Sequence, residues 1–467
     1  MTRRPHLKAR VRARMAKTGE RYAAAREQVI GAVSPSAEPA LSAEPAASSA
    51  EPALSAEPAA PSASGIRHFP GVHPESTALR ILATHAGVRG PDGAPLSEPL
   101  AFVVGGGVGI GVFAFVYQKD DFASFFVGGG HRWDDSVGFL DRAARRLGLE
   151  PRVEESGGTR QAALNLAEMT ATGAPVVAWV DLGVLGTRAY PAEWSGGGYH
   201  VLVVYGRDES TGAWLVGDLA PDPLAIPADA LAGARARIAK QRSRLMSVTH
   251  ARDGHGVAVG LPAAVASGLR ATVDGLRNPR SRNFGLAALA DWADRLDGAG
   301  RDSWARAFPR GGRLWNGLTF LHQFVECHGT GGGLLRPLFA AGLREAADLT
   351  GTGGLGDVAD RYAALGTGWT DLAQAALPDA VPLLREAREI QTANARRYRE
   401  RGGASLDENR LATARLGAIR ATVSADFPLA ESDVADLRAD LGRRVRAIHA
   451  AEVAALAELA SVVGASA

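Results

Sequence analysis

Strand-like runs stop near residue 250, and this change constrains the fold more than any other feature of the sequence. Before it, apolar and β-branched runs bounded by Gly, Asp or Ser alternate with helical patterns. After it, apolar residues recur at three-or-four spacing almost to the C-terminus. The sequence therefore predicts an α+β domain over residues 66–250 and a mainly α-helical domain over residues 251–467.

Individual segments of the first half can be assigned from their periodicity. A helix is predicted to begin at Pro74, because proline suits the first helical turn, and to end at Gly87. "LAFVV" and "VFAFVY" are predicted strands around the glycine-rich turn "GGGVGIG", and "APVVAWVDL" is a buried strand. "DDSVGFLDRAARRLGL" and "TRQAALNLAEMTATG" are helical. "YHVLVVYGRDESTGAWLVGDLA" predicts a hairpin that turns between Asp208 and Gly212.

The first 65 residues are not expected to join a core. Residues 31–65 form a linker that repeats "SAEPA", a composition too poor in apolar side chains to offset its ordering entropy, so we expect disorder. Residues 1–30 form a basic arm whose sequence is compatible with a helix. Between residues 2 and 29 it has nine Arg and Lys, and its acidic residues there are Glu20 and Glu27. The arm is either a solvated segment or a contact for nucleic acid or an acidic partner.

The clearest helix of the second half is "ESDVADLRADLGRRVRAIHAAEVAALAELASVVG". Its apolar stripe runs from Val434 to Leu459, with Ser432 as the predicted N-cap and Gly464 as the predicted C-cap. Such a stripe packs either inside the chain, which we favour, or against a second subunit, which would make the protein a homo-oligomer through its C-terminal helices.

Composition excludes several classes of protein. The formal net charge is only +2 over 467 residues, so no global field favours nucleic acid or a membrane. Cys327 is the one cysteine, which excludes an internal disulfide framework and a thiolate zinc cluster. Apolar runs long enough for a membrane span and the apolar core of a signal peptide are both absent from the sequence, so a cytoplasmic location is expected.

Two glycine-rich stretches and two histidine groups carry weak functional signals. "GIGVFA" matches a dinucleotide fingerprint, but a strand follows it where a helix is needed, and "GTGGGLLR" lacks the Lys of a phosphate loop. His68 and His73 lack further ligands in register, and adjacent Cys327 and His328 would point apart on a helix. We therefore expect no cofactor and no metal.

A stronger pair lies in the predicted hairpin. His200 opens one strand after "SGGGY", and Asp218 ends the next strand. Neighbouring strands can bring the two side chains into a hydrogen bond that orients an imidazole as a general base. A helix N-terminus, a His and an Asp follow each other in the order of a cysteine-peptidase-like fold.

The chain resembles the butirosin biosynthesis protein H family over roughly residues 66–380. The matching stretches are "HPESTALRILATHAG", "PLSEPLAFVVGGGVGIGVF", "FFVGGGHRWDDSVGFLDRAARRLGL", "GAPVVAWVDLGVL", the hairpin, "HGTGGGLLRPLFAAGLREAADL" and "YAALGTGWTDLA". The resemblance implies a papain-like N-terminal domain followed by a helical domain. It also implies an acyltransferase of natural-product biosynthesis, which moves an acyl group from a carrier-protein thioester to a small amine acceptor.

This chain departs from the family at the nucleophile. The family motif has His-Cys at the helix start, whereas here the residues are His73 and Pro74, so the nucleophile position falls on a residue that cannot form a thioester. The family's His and Asp fall on His200 and Asp218. Ser76 is the nearest hydroxyl, but it is turned away by helical geometry, and helix capping is its expected role. Glu98 is either near the site or a surface carboxylate at a turn.

Two classes of function remain open. In one, a bound amine attacks the thioester directly, with His200 removing the proton and the helix N-terminus or nearby amides holding the oxyanion. In the other, catalysis is lost and the protein is an inactive scaffold that binds a carrier protein, a small molecule or another partner.

Overall fold

The computed structural model describes residues 65–118, 121–131, 135–190, 198–250, 260–298, 300 and 302–464. The predicted basic arm lies outside the described residues, as does the repeat linker except for Gly65. The predicted domain boundary at residue 250 adjoins residues 251–259, which also lie outside them.

The first half contains helices and strands in alternation. Its helices are α1 (Pro74–His85), α2 (Glu98–Gly105), α3 (Ser136–Arg146), α4 (Thr159–Thr170), α5 (Leu182–Leu185) and α6 (Ala228–Arg237). Its strands are β1 (Val108–Tyr117), β2 (Phe122–Gly130), β3 (Leu149–Glu154), β4 (Val176–Asp181), β5 (Tyr199–Arg207), β6 (Trp214–Gly217), β7 (Leu224–Ile226) and β8 (Leu245–His250).

Six of these strands form an antiparallel sheet in the order β3-β8-β4-β5-β6-β7. The predicted hairpin is present as β5 and β6, and His200 pairs with Val180 of the neighbouring β4. Successive residues of a strand face opposite sides of a sheet. Val177 and Val203 accordingly join the large core, whereas Val176 and Val204 join a smaller core that includes α4 and α6.

The second half is helical throughout the part that the structure describes. Its helices are α7 (Leu261–Arg277), α8 (Gly285–Asp297), α9 (Trp304–Ala307), α10 (Gly312–His322), α11 (Arg336–Thr350), α12 (Leu355–Ala376), α13 (Pro382–Arg401), α14 (Leu406–Ala425) and α15 (Glu431–Val462). A π-helical turn, Gln323–Cys327, ends α10, and a glycine-rich turn over residues 329–335 leads into α11. The two halves thus have the predicted α+β and helical character.

The prediction of a strand at "LAFVV" is wrong, because these residues belong to helix α2. Ser97 caps this helix by accepting a hydrogen bond from the Leu100 amide at 3.1 Å, and Gly106 ends it in the left-handed conformation at φ 116°. All eight residues of α2 are buried. A short apolar run that is buried on every side carries no periodicity, so only its caps distinguish a helix from a strand.

The apolar stripe of α15 packs inside the chain. Val434, Leu441, Val445 and Leu459 are all fully buried in the large core, where α15 packs against α8 and α12. The observed N-cap of α15 is Ala430, two residues before the predicted N-cap, Ser432. The Ala430 amide donates a hydrogen bond to Asp433 Oδ2 at 3.3 Å. Gly464 follows the observed C-cap, Val463.

One hydrophobic core continues from the first half into the second. The β1–β2 hairpin, which pairs separately from the six-stranded sheet, packs against α8 and α10. Helix α2 packs against α7 and α11. Within the described residues, no helix is both long and apolar enough to cross a membrane.

Candidate functional site

The start of α1 is fixed by hydrogen bonds to two side chains, His73 and Glu98. His73 is the N-cap, and its Nδ1 accepts a hydrogen bond from the Ser76 amide at 3.2 Å. Glu98, the first residue of α2, accepts hydrogen bonds from the amides of Val72 and His73 at 3.1 and 2.8 Å. The buried Glu98 carboxylate therefore satisfies amides in the loop that leads into α1.

Ser76 and Glu98 thus have structural partners. The Ser76 hydroxyl lies 3.0 Å from His73 Nδ1 and 3.1 Å from Glu98 Oε1, and Thr77 donates to Glu98 at 2.9 Å. Of the two interpretations of Glu98, a surface carboxylate is wrong, because its side chain is buried against α1. Burial raises the pKa of Glu98, while the four donors around it oppose that rise.

Pro74 occupies the first position of α1, as predicted. The glycine-rich turn of residues 329–335 lies directly over it, since a Cβ added to Gly329 would lie 2.9 Å from Cδ of Pro74. Gly331 is equally close to Val72, where an added Cβ would lie 3.0 Å from the Val72 Cβ. The glycine backbone of this turn, which belongs to the second half of the chain, therefore packs against the start of α1.

His200 and Asp218 are brought together as the sequence predicts. His200 Nε2 lies 2.7 Å from Asp218 Oδ1, and both side chains are almost fully buried. Burial lowers the pKa of His200 while the Asp218 carboxylate raises it, and the net direction is downward. A neutral imidazole that donates from Nε2 to Asp218 leaves Nδ1 as the basic nitrogen. Its catalytic role stays a prediction.

Asp218 has two further partners that the sequence analysis did not find. Arg188 Nη2 donates to Asp218 Oδ2 at 2.7 Å, and Tyr398 Oη donates to the same oxygen at 2.6 Å. The Arg188 guanidinium also lies over the Tyr398 ring, 4.2 Å from its centroid. Although burial opposes ionisation, Arg188 and His200 hold the pKa of Asp218 well below its usual range.

The second half contributes one more histidine to this network. His328 Nδ1 lies 3.1 Å from the Tyr190 hydroxyl, which in turn lies 3.4 Å from Arg188 Nη1. Burial, followed by the charges of Arg188 and His200, lowers the pKa of His328 to about 3. His328 is therefore a neutral partner of Tyr190 at neutral pH.

A second polar contact at the start of α1 joins His73 Nε2 to Glu75 Oε2 at 3.2 Å. Burial lowers the pKa of His73 to about 3, and His200 contributes to the decrease. Burial raises the pKa of Glu75 to about 7. Because Nδ1 of His73 is an acceptor at the helix cap, its Nε2 carries the proton and donates to Glu75.

A cavity of about 330 Å³ lies beside Arg188 and Tyr398, and residues from both halves of the chain line it. Arg188, Tyr190 and Leu219 come from the first half. Trp315, Phe320 and Tyr398 are among the residues that α10 and α13 contribute. His200 and Pro74 do not belong to the described lining, whereas Arg188 and Tyr398 line the cavity and also bind Asp218.

The remaining candidates, His68 and Cys327, are buried in the protein interior. His68 is bonded to the Tyr205 hydroxyl at 2.7 Å and to the Ala220 carbonyl at 2.9 Å. Burial raises the pKa of the Cys327 thiol, so this side chain is a poor nucleophile at neutral pH. Among the residues that the structure describes, no group of three or more His, Cys, Asp or Glu side chains is arranged to hold a metal ion.

Comparison with known families agrees with the resemblance seen in the sequence. Residues 73–219 match the family model for butirosin biosynthesis protein H, N-terminal, and residues 229–396 match a domain of unknown function, DUF4872. The two matches together support a butirosin biosynthesis protein H-like assignment of the chain. The first match indicates an acyltransferase-like function in biosynthesis. No curated protein matches the chain significantly.

The match to butirosin biosynthesis protein H begins at His73 and ends at Leu219, so it contains His200 and Asp218. Arg188 lies within the same match, in "LGTRAY". Its position after a buried strand is the only feature of the sequence that could have identified it as a site residue. Tyr398 lies just beyond the second match, in the arginine-rich run "ANARRYRER". A lone aromatic residue among charges indicates a buried contact, but it does not identify the partner.

Proposed function

We propose that this butirosin biosynthesis protein H-like chain binds a small molecule in the cavity beside Arg188 and Tyr398, and that it acts without an acyl-enzyme intermediate. The observation that carries the proposal is that these two side chains line the cavity and also bind Asp218, the partner of His200. Cavities of about this size, with an aromatic lining and a few polar groups, are typical of small-molecule sites.

The covalent route of the family is unsupported in this chain for two reasons. Pro74 has no nucleophilic atom, and the turn at Gly329 packs against its ring. Ser76, the nearest hydroxyl, bonds to His73 and Glu98. Cys327 lines the cavity, but its buried thiol is protonated at neutral pH.

Direct acyl transfer is the second candidate, and the 2.7 Å contact between His200 and Asp218 favours it. In this reaction an amine nitrogen attacks the thioester carbonyl, so an N–C bond forms and the C–S bond breaks. Nδ1 of neutral His200 takes the proton that the amine loses, and the imidazolium then gives it to the leaving thiolate. A papain-like arrangement of the domain, an acyl carrier protein as donor and a small amine as acceptor belong to this proposal.

The binding proposal can be tested with a pair of matched variants on α14. Ala414 lines the cavity and Ala418 does not, although both side chains are exposed on the same helix. Ala414→Phe should block the mouth of the cavity and abolish binding of whichever acyl-N-acetylcysteamine thioester or amine the wild-type chain binds in calorimetric titrations. Ala418→Phe should leave that binding unchanged. Equal affinities in the two variants would contradict the cavity as the binding site.

Direct transfer has its own measurement, the release of free thiol from the same thioesters. If the second candidate is correct, release requires a small amine and falls at least about tenfold in His200→Ala, a loss typical of a general base. Intact mass should remain that of the unmodified chain throughout the reaction. Thiol release that is insensitive to His200 would leave binding as the function.

A further inference from the structure

The charges and hydrogen bonds around the cavity restrict what it can bind. Three of its described lining residues are cationic, namely Arg188, Arg399 and Arg420, and none of the described lining residues is Asp or Glu. Family resemblance alone implies an amine acceptor, which is cationic at neutral pH. A cationic ligand would have no carboxylate to pair with in this part of the wall.

Three of the amide side chains that line the cavity are already engaged by the protein. Asn316 donates to the Ala123 carbonyl at 3.1 Å, and Gln391 lies 2.9 Å from His322 Nδ1 and 3.3 Å from the Thr319 carbonyl. Asn409 accepts from Arg397 at 2.9 Å and donates to the Asn394 carbonyl at 3.3 Å. These amides therefore shape the wall but offer few free groups to a ligand.

Two guanidinium groups, by contrast, retain donors. Nε of Arg188 is buried without a hydrogen-bond partner among the described residues, although its Nη atoms bind Asp218 and Tyr190, and only 9% of the side chain is exposed. Arg399 follows Tyr398 on α13 and is half-buried. Within the part of the chain that the structure describes, it forms no ion pair or hydrogen bond, although its charge acts on the Glu326 carboxyl, and it lines the same cavity.

Other residues of the lining are apolar and aromatic. The Phe122 and Phe320 rings are in edge-to-face contact with centroids 6.5 Å apart, and both line the cavity together with Trp315. Leu219 and Leu416 extend this apolar surface. The cavity thus combines guanidinium N–H groups that have no acceptor among the described residues, on Arg188 and Arg399, with an aromatic and apolar surface, which suits a molecule that is anionic at one end and apolar at the other.

We propose that the cavity takes a small organic acid, with its carboxylate bound by Arg188 and Arg399 and its apolar body packed against Phe122, Trp315 and Phe320. This inference rests on the proposed function, because it names the ligand class for the same cavity. It implies that an acceptor or acyl group handled by this protein carries a carboxylate, whatever other group reacts.

The test compares three probes with one phenylbutyl body, titrated calorimetrically into the full chain: 4-phenylbutyrate, 4-phenylbutyramide and 4-phenylbutylamine. We expect 4-phenylbutyrate to bind at least about tenfold more tightly than the amide, the difference that one charge-assisted hydrogen bond supplies. 4-Phenylbutylamine should bind most weakly. Arg399→Gln should weaken butyrate binding about tenfold and leave the amide unchanged, which also shows that the variant is folded.

Arg396→Gln is the matched control, because Arg396 is exposed on the same helix and does not line the cavity. It should bind all three probes as the wild type does. Preference for the amine, equal binding of the three probes, or no binding at millimolar concentration would each overturn the carboxylate assignment. The proposed function fails separately, if Ala414→Phe has no effect on the thioesters and amines that the wild type binds.

Discussion

The start of α1 and the cavity beside Arg188 differ in what they offer to a substrate. At the start of α1, Pro74 occupies the position where the family resemblance implies a thiol nucleophile, and it is packed under a glycine-rich turn. In the second region, guanidinium donors and aromatic rings surround a cavity of about 330 Å³. Arg188 and Tyr398 connect this second region to the buried His200–Asp218 pair.

This difference indicates that a fold can contain a buried His–Asp pair without the nucleophile that such a pair would activate. The hydrogen bonds of Asp218 stabilise contacts between the α+β half and helix α13, so they would persist after loss of a nucleophile. Proline at the first helical position keeps the backbone of α1 unchanged, because it needs no amide hydrogen there. The retained pair is therefore no proof of catalysis, and the cavity is where binding should be sought.

The largest predicted effect comes from breaking the connection between the two regions. Asp218→Asn should lower the free energy of unfolding by about 3–5 kcal/mol, because it leaves the Arg188 guanidinium buried without its charged partner. Urea or guanidinium denaturation measures this change. Asp208→Asn, in the exposed turn before β6, is the control and should cost much less. Similar losses in the two variants would show that Asp218 does not connect the regions.

A pH-dependent effect is expected at the start of α1. The folded-state pKa of Glu75 is about 7, raised by burial, so this group stabilises the fold at low pH and loses that contribution as pH rises from about 4.5 through 7. Glu75→Gln should therefore be more stable than wild type at pH 8, by on the order of 3 kcal/mol, and nearly equal at pH 4.

His73 acts in the opposite direction over an overlapping range. Its pKa of about 3 means that its contribution is complete above about 6.5 and is lost as pH falls toward 3. The difference between wild type and Glu75→Gln isolates the carboxyl group from this background. Glu168→Gln on the exposed face of α4 is the control. A stability difference that is constant from pH 4 to pH 8 would disprove the assignment to Glu75.

The smallest predicted effect tests whether the glycine-rich turn is fitted to Pro74. Gly329 and Gly351 have φ angles of 67° and 65°, so alanine should cost about 1–2 kcal/mol of backbone strain at each. Only at Gly329 does the new Cβ meet the proline ring, which should add about 1–2 kcal/mol. In a Pro74→Ala background this excess should disappear from the denaturation curves. An excess that persists there would mean that another contact is responsible.

Much of the fold was predictable because its signals are local. The buried strand at Val176–Asp181, the hairpin that contains His200 and the helix at Pro74 follow from periodicity and turn residues. Helix α2 was missed because an apolar run without polar positions has no visible period. The stripe of α15 specified a buried face, but its partners α8 and α12 are distant in sequence.

The candidate site was predictable only in part, for a similar reason. His200 and Asp218 lie on adjacent strands, so their contact follows from the hairpin. Arg188 and Tyr398 are 210 residues apart in sequence, and no local pattern brings them to one carboxylate. The function of Glu98 was open because its partners are backbone amides in another loop.

Intact-mass analysis of a restored nucleophile tests the central claim most directly. In a Cys327→Ala background, wild-type and Pro74→Cys chains are incubated with an acyl-N-acetylcysteamine thioester, with Pro74→Cys/His200→Ala as the matched control. The account predicts no adduct on the wild-type chain, one acyl group on Pro74→Cys, and at least about tenfold slower acylation without His200. Acylation of the wild-type chain, or an introduced thiol whose acylation rate does not depend on His200, would contradict it.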